Sequence, residues 1–214
     1  MNAVPRVRLL TPALALFLLL GLFMSLTAES FVSSNTLARA RAVQSNNAVA
    51  DINTAVLTYK YDNLRTGQTT NETLLTPNNV NARQFGKRMA YPVDGQIYAQ
   101  PLYVPDLTLG GQQHDVVFVA TEHDSVYAFD ADATDPVAGQ LWHTSFLTDG
   151  ALSPTNKDVF CNDTIPEMGI TGTPVIDLST HTLYVVAFTQ EQGQLVNRLH
   201  ALDLATGKDK ASIV

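Results

Sequence analysis

The chain has 214 residues, 45% of them hydrophobic and 15% charged, enough to bury a sizeable core. Its formal net charge is −7, from 13 basic and 20 acidic residues, and only Lys87 and Arg88 are adjacent cations. This excludes the clustered Lys and Arg that nucleic-acid binding by counterion release requires. The single cysteine, Cys161, excludes an intrachain disulfide framework, so stability must come from packing.

The first 28 residues are unlike the rest. Arg6 and Arg8 precede an apolar run over residues 9–28, and no acidic residue comes before Glu29, which is the layout of an export signal. Cleavage after Ala28 suits the small-residue rule, although Leu26 is larger than usual there. Retention as an anchor is the alternative, because about 20 apolar residues span a bilayer. Either way the chain is directed out of the cytoplasm, to be secreted, periplasmic or anchored to the membrane. Without this segment 11 basic residues face 20 acidic ones, a net charge of about −9.

Residues 29–55 are rich in Ser, Asn and Ala, with little hydrophobic periodicity, and read as a disordered tether. A short amphipathic helix over residues 37–43 would lack the apolar surface to fold alone.

From residue 56 onward the texture is short β-rich runs broken by turn residues, and no long stretch keeps a 3.6-residue apolar period. A strand is expected over residues 116–121, a turn over 122–125 and a returning strand over 126–130. Residues 107–114 are expected to form a loop, and a strand follows over 140–146. A second pair is expected to run out over 183–188, reverse through a long Gln/Gly-rich turn around Gly193, and return over 195–204. The two stretches repeat each other. Pro101 corresponds to Pro174 and Ala128-x-Asp130 to Ala201-x-Asp203, both at a shift of 73 residues. The units fall at about 95–146 and 168–214, each with four strands. Units of this kind bury their faces by stacking radially around an axis, with a β-sandwich as the alternative architecture.

The run Tyr61-Asp62-Asn63-Leu64-Arg65-Thr66-Gly67, then Leu75-Thr76-Pro77-Asn78-Asn79-Val80, Gly95 and Pro101, resembles the lead-in to the first blade of the pyrroloquinoline-quinone (PQQ) dehydrogenase superfamily. Ala201-x-Asp203-x-x-Thr206-Gly207-Lys208 is similar to that family's blade-closing motif A-x-D-x-x-T-G-x-x-x-W, whose tryptophan docks one blade on the next. The last motif position here is Ala211, whereas the earlier copy keeps Trp142. The resemblance covers residues 59–208 and implies an all-β propeller of four-stranded antiparallel blades, about two of them present. Two blades cannot close a ring of about four to eight, so the resemblance also implies a chain that continues past Val214.

The resemblance further implies PQQ and calcium as cofactors of an alcohol or sugar dehydrogenase, but two positions depart from it. Tyr98 stands where the family carries a quinone-contacting glutamate. Phe160 replaces one of two adjacent cysteines, leaving Cys161 as an unpaired, buried thiol. The calcium ligands and catalytic aspartate of the family lie in later blades. The expectation is therefore a non-catalytic binding or scaffolding module with an unidentified protein or small-molecule partner, no catalytic or metal residues in this segment, and membrane contact only through residues 9–28. The alternative is the N-terminal fragment of a PQQ-dependent dehydrogenase.

Other chemistry-bearing residues read as structural. Asp130, Asp132 and Asp135 alternate as in a calcium loop, but Asp135 stands where that loop needs glycine and Leu141 where it needs glutamate, so they are expected to cap turns. His114, His123 and His143 have no metal-ligand spacing. Asp163 and Glu167 form a conceivable acid–base pair only if a pocket holds both.

Overall fold

The computed structural model describes residues 54–70, 72–160 and 162–214. The export segment, the tether up to residue 53, the helix expected over residues 37–43 and Cys161 lie outside them. Among the described residues no helix is long and apolar enough to cross a membrane.

The fold is all-β, with two four-stranded antiparallel sheets in sequential strand order. The first contains β1 (Leu102–Leu109), β2 (Gln112–Ala120), β3 (Ser125–Asp130) and β4 (Gln140–Ser145). The second contains β5 (Val175–Asp177), β6 (Thr182–Glu191), β7 (Gln194–Asp203) and β8 (Asp209–Ile213). One four-residue helix, α1 (Asn156–Val159), lies in the connection between them. Among the described residues no closed ring is formed.

Both sheets open directly after a proline, Pro101 before β1 and Pro174 before β5. Proline has no N–H for the ladder and fits the first position of a strand. The expected loop over residues 107–114 is instead a continuous hairpin. Gly110 (φ 58°) and Gly111 (φ 86°) supply the two left-handed residues of a tight turn, and Leu109 pairs with Gln112 across it. The turn around Gly193 is likewise short. Gln192 and Gly193 alone reverse the chain between the paired Glu191 and Gln194, so the extra length of the second hairpin is strand. Polar side chains conceal these extensions from a reading based on apolar alternation. Gly193 has φ 79°, and Gly193→Ala is expected to lower stability by about 1–2 kcal/mol, read as a lower urea midpoint with an unchanged slope.

The two sheets share equivalent strand registers. Ala128 pairs with Phe118 and Trp142, and Ala201 pairs with Tyr184 and Ala211. Leu102 pairs with Phe118 as Val175 pairs with Tyr184. A register shift follows Ala128 and another follows Ala201. Ala211 is thus the structural counterpart of Trp142.

One core joins the two sheets. Leu102, Val104, Val116, Phe118, Val126, Ala128 and Trp142 on one face of the first sheet pack with Ile176, Leu183, Val185, Ala187, Leu202 and Leu204 of the second. Trp142 is the bolt between them. Its Nε1 donates to the Leu204 carbonyl at 3.0 Å, and the Thr144 hydroxyl donates to the Gly207 carbonyl at 2.6 Å. Gly207 lies so close to the indole that an added Cβ would be 2.5 Å from Cε3. The small residue of the Thr206-Gly207 turn is there to admit the ring.

The other face of the first sheet is covered by its own lead-in, where Tyr91 and Val93 pack on Val119, Tyr127 and Phe129. Tyr91 stacks on Phe129 with ring centroids 4.5 Å apart. Among the described residues nothing packs over the face of the second sheet turned away from the core. Val175 (43% exposed), Tyr184 (37%), Val186 (46%), Leu199 (40%) and Ile213 (66%) lie there. Residues 56 and 57 bind the two sheets at one edge, since Val56 bridges Tyr103 while the Leu57 carbonyl accepts from Ile176 N at 2.9 Å.

Candidate functional site

The densest set of polar chemistry is the β2–β3 turn. A turn of sequence Thr121-Glu122-His123-Asp124-Ser125 belongs in water by composition, yet Thr121, Glu122, Asp124 and Ser125 are each at most 1% exposed. Two flanking segments close over it. Glu122 N donates to the Gln96 carbonyl at 2.9 Å, and Ile170 N donates to the Thr121 carbonyl at 3.1 Å. Close approach is permitted by two glycines. A Cβ on Gly95 would lie 2.7 Å from His123 N, and one on Gly169 would lie 2.4 Å from the Glu122 carbonyl oxygen.

Inside this enclosure the side chains are bonded individually. Glu122 Oε2 accepts from Gly169 N at 2.7 Å and from the Thr171 hydroxyl at 3.1 Å, while Oε1 has no partner among the described residues. Asp124 reaches the second sheet, where Oδ1 accepts from Phe188 N at 3.1 Å and Oδ2 from the Ser153 hydroxyl at 3.0 Å. The bond to Phe188 has a topological cause. Strand β5 pairs only with residues 182–184 of β6, so the rest of that β6 edge needs other acceptors. Asp124 supplies one, and the bridge between Leu152 and Gln190 supplies the next. Burial pushes the Asp124 carboxyl up to about 7, with the nearby Glu122 charge adding to the rise, although both hydrogen bonds oppose it.

Two of the three histidines singled out in the sequence are hydrogen-bonded to a carboxylate. His114 Nδ1 is 2.8 Å from Asp130 Oδ2, and His123 Nδ1 is 2.9 Å from both oxygens of Glu167. The Glu167 hydrogen bond holds the His123 pKa above its ordinary value, against the effect of burial. His143 Nε2 lies 3.1 Å from the Ser125 hydroxyl. That hydroxyl donates to Asp94 Oδ2 at 2.5 Å, and Thr121 donates to Asp94 Oδ1 at 2.9 Å. Ser, His and Asp thus meet here, but the serine proton points to the carboxylate and the serine is fully buried. The arrangement is not that of an activated nucleophile, in which the hydroxyl donates to the imidazole.

The remaining residues singled out from the sequence are dispersed. Asp163 and Glu167 take different partners, since Glu167 holds His123 and the Asp163 carbonyl accepts from the Tyr98 hydroxyl at 3.1 Å. Tyr98 is 51% exposed and offers a phenol, so the carboxylate that the quinone resemblance implies has no counterpart at that position. Phe160 is 95% exposed. The aspartates of the β3–β4 turn cap backbone as expected, with Asp130 Oδ1 accepting from Asp132 N at 2.9 Å and Asp135 Oδ1 from Val137 N at 2.9 Å and Ala138 N at 2.8 Å. Among the described residues no group of three or more His, Cys, Asp or Glu side chains converges as a metal site.

Sequence reasoning treated residues 122–125 as a plain turn. The available signal was two acids, a histidine and a serine packed into one hairpin end, with glycines at 95 and 169 in the segments that cover it.

Comparison with protein-family models, with curated proteins and with solved structures gives no match for this chain. The class that the geometry itself defines is an all-β protein with two four-stranded antiparallel sheets.

Proposed function

We propose that this chain forms opening units of an exported PQQ-like propeller and serves as a binding or scaffolding module, without dehydrogenase chemistry in this segment. The observation that carries the reading is the register equivalence of the two sheets. The bare face of the second sheet, with Val175, Tyr184, Ala201 and Ala211, repeats the face of the first sheet with Leu102, Phe118, Ala128 and Trp142, which the second sheet covers. A repeat whose successive members use the same face in the same way supports radial stacking, with the next sheet as the natural cover for the bare face. Trp142, at the tryptophan position of the first unit, packs on Leu204 and Gly207 of the second, in keeping with the docking role that the resemblance gives that tryptophan.

What occupies the family's reactive positions supports the lack of dehydrogenase chemistry. Tyr98 is committed to the Asp163 carbonyl, and Phe160 stands in place of a cysteine. Asp124 of the enclosed turn bonds Phe188 N and Ser153, Glu122 bonds Gly169 N and Thr171, and His123 bonds Glu167, which suits a rigid junction between units.

Titrating the full chain with PQQ and calcium, with dye-linked oxidation of primary alcohols and aldoses as the readout, tests this reading. No bound chromophore and no turnover are expected. Stoichiometric quinone binding with turnover would overturn it in favour of a dehydrogenase.

A further inference from the structure

The second hairpin exceeds what the repeat needs. Seventeen residues separate Tyr184 from Ala201, whereas ten separate the equivalent Phe118 and Ala128. The added length carries β6 and β7 beyond the end of the first sheet as an overhang. Thr189, Glu191 and Arg198 of the overhang, with His200 beneath, face Phe146 and the loop carrying Asp149, and together they enclose a cavity of about 460 Å³. That volume falls within the range of small-molecule sites, about 300–1,000 Å³.

The lining is preorganised by internal pairing. Arg198 holds Glu191 in a fork, Nε to Oε1 at 3.2 Å and Nη2 to Oε2 at 2.7 Å. His200 Nδ1 is 2.6 Å from Asp209 Oδ2, and its ring stacks on Phe146 at 3.9 Å between centroids. Two groups remain unused. Arg198 Nη1 and the Asp149 carboxylate have no partner among the described residues. One is a donor and the other an acceptor, and the hydroxyls of Thr148 and Ser212 also line the space. A ligand that both donates and accepts at closely spaced atoms meets these demands. Three carboxylates, from Asp149, Glu191 and Asp209, face one guanidinium, which disfavours an anion.

We infer that this cavity binds a neutral polyhydroxylated small molecule of mono- or disaccharide size, held between Arg198 and Asp149 over the Phe146–His200 pair. The inference needs only the two sheets and their connection, so failure of the quinone titration, or of the propeller reading, leaves it standing.

Saturation-transfer NMR and isothermal calorimetry on the full chain with glucose, galactose, maltose and sucrose, with putrescine as a cationic control, test it. At least one saccharide is expected to bind in the millimolar range, and putrescine is not. Arg198→Gln and Asp149→Gly are each expected to weaken binding about tenfold, the effect of losing one hydrogen bond to a charged group. Asp149 has φ 54°, which glycine adopts freely, so that variant is expected to keep the wild-type melting temperature and separates lost binding from lost folding. No saccharide binding, binding undiminished in both variants, or binding of putrescine alone would each overturn the inference.

Discussion

Replacing Trp142 with alanine is expected to lower the stability of the two-sheet unit by about 3–5 kcal/mol, the range for deleting a large aromatic from a core. Trp142 is 8% exposed, lies against Phe118 with centroids 5.7 Å apart, and fills the space above Gly207. Its removal opens a cavity between the sheets and leaves the carbonyl of Leu204, itself a buried residue, without its donor. Trp142→Phe retains most of the apolar area but not the N–H, and is expected to cost about 1–3 kcal/mol. The ordering wild type, Phe, Ala in chemical denaturation checks the account. An alanine variant with the wild-type midpoint would show that other contacts hold the sheets together.

The second large effect is a fall in stability as pH rises. Asp124 has an ordinary value of 3.8 and is held at about 7 in the folded protein. Between roughly pH 4 and 7 the unfolded chain has released this proton while the folded protein retains it, so folding takes up a proton and stability decreases with increasing pH. Above pH 7 both states are ionised and the dependence flattens. A carboxyl held about three pH units above its ordinary value corresponds to a loss on the order of 4 kcal/mol across that window. His123 acts in the same direction. Its raised pKa contributes stability that is complete below its ordinary 6.5 and is lost as pH rises through the folded value. Glu191, lowered chiefly by its hydrogen bond with Arg198, and Asp177, lowered chiefly by the Ser179 hydroxyl, act oppositely. Their contribution is present above their ordinary values of 4.5 and 3.8 and is lost as acid protonates them. Maximum stability is therefore expected near about pH 5.

Asp124→Asn separates the contributions. The amide oxygen still accepts from Phe188 N, and the amide N–H can donate to the Ser153 hydroxyl, so the bridge between sheets survives without a buried charge. The variant is expected to match the wild type near pH 4 and to exceed it at pH 8, by thermal melts across the range. A wild-type stability that is flat from pH 5 to 8, or an Asn variant whose curve runs parallel to it, would show that Asp124 is not the group responsible.

Much of this architecture is written locally. Pro101 and Pro174 open strands because they lack a ladder donor, paired glycines reverse the first hairpin, and a constant shift of 73 residues announces two units of one kind. The full length of the β1–β2 and β6–β7 hairpins is not legible in the sequence because Gln112, Gln113, Gln190 and Gln194 break the apolar alternation that marks a half-buried strand. Those residues lie where only one side of the sheet, or neither, meets the core, so the ladder forms without apolar side chains to advertise it.

What the sequence by itself determined is the β-rich class and most of its strands, since a two-residue period and turn chemistry act over a few neighbours. What only the tertiary structure decided is which polar residues leave water. Glu122 and Asp124 sit in a turn whose composition suits solvent, and their burial depends on Gly95 and Gly169 bringing distant segments over them. The pairing of His123 with Glu167 spans 44 residues, and that of Asp124 with Phe188 spans 64. Desolvation is a property of what covers a group, and the covering segments are chosen by the packing of whole sheets, which no local pattern encodes.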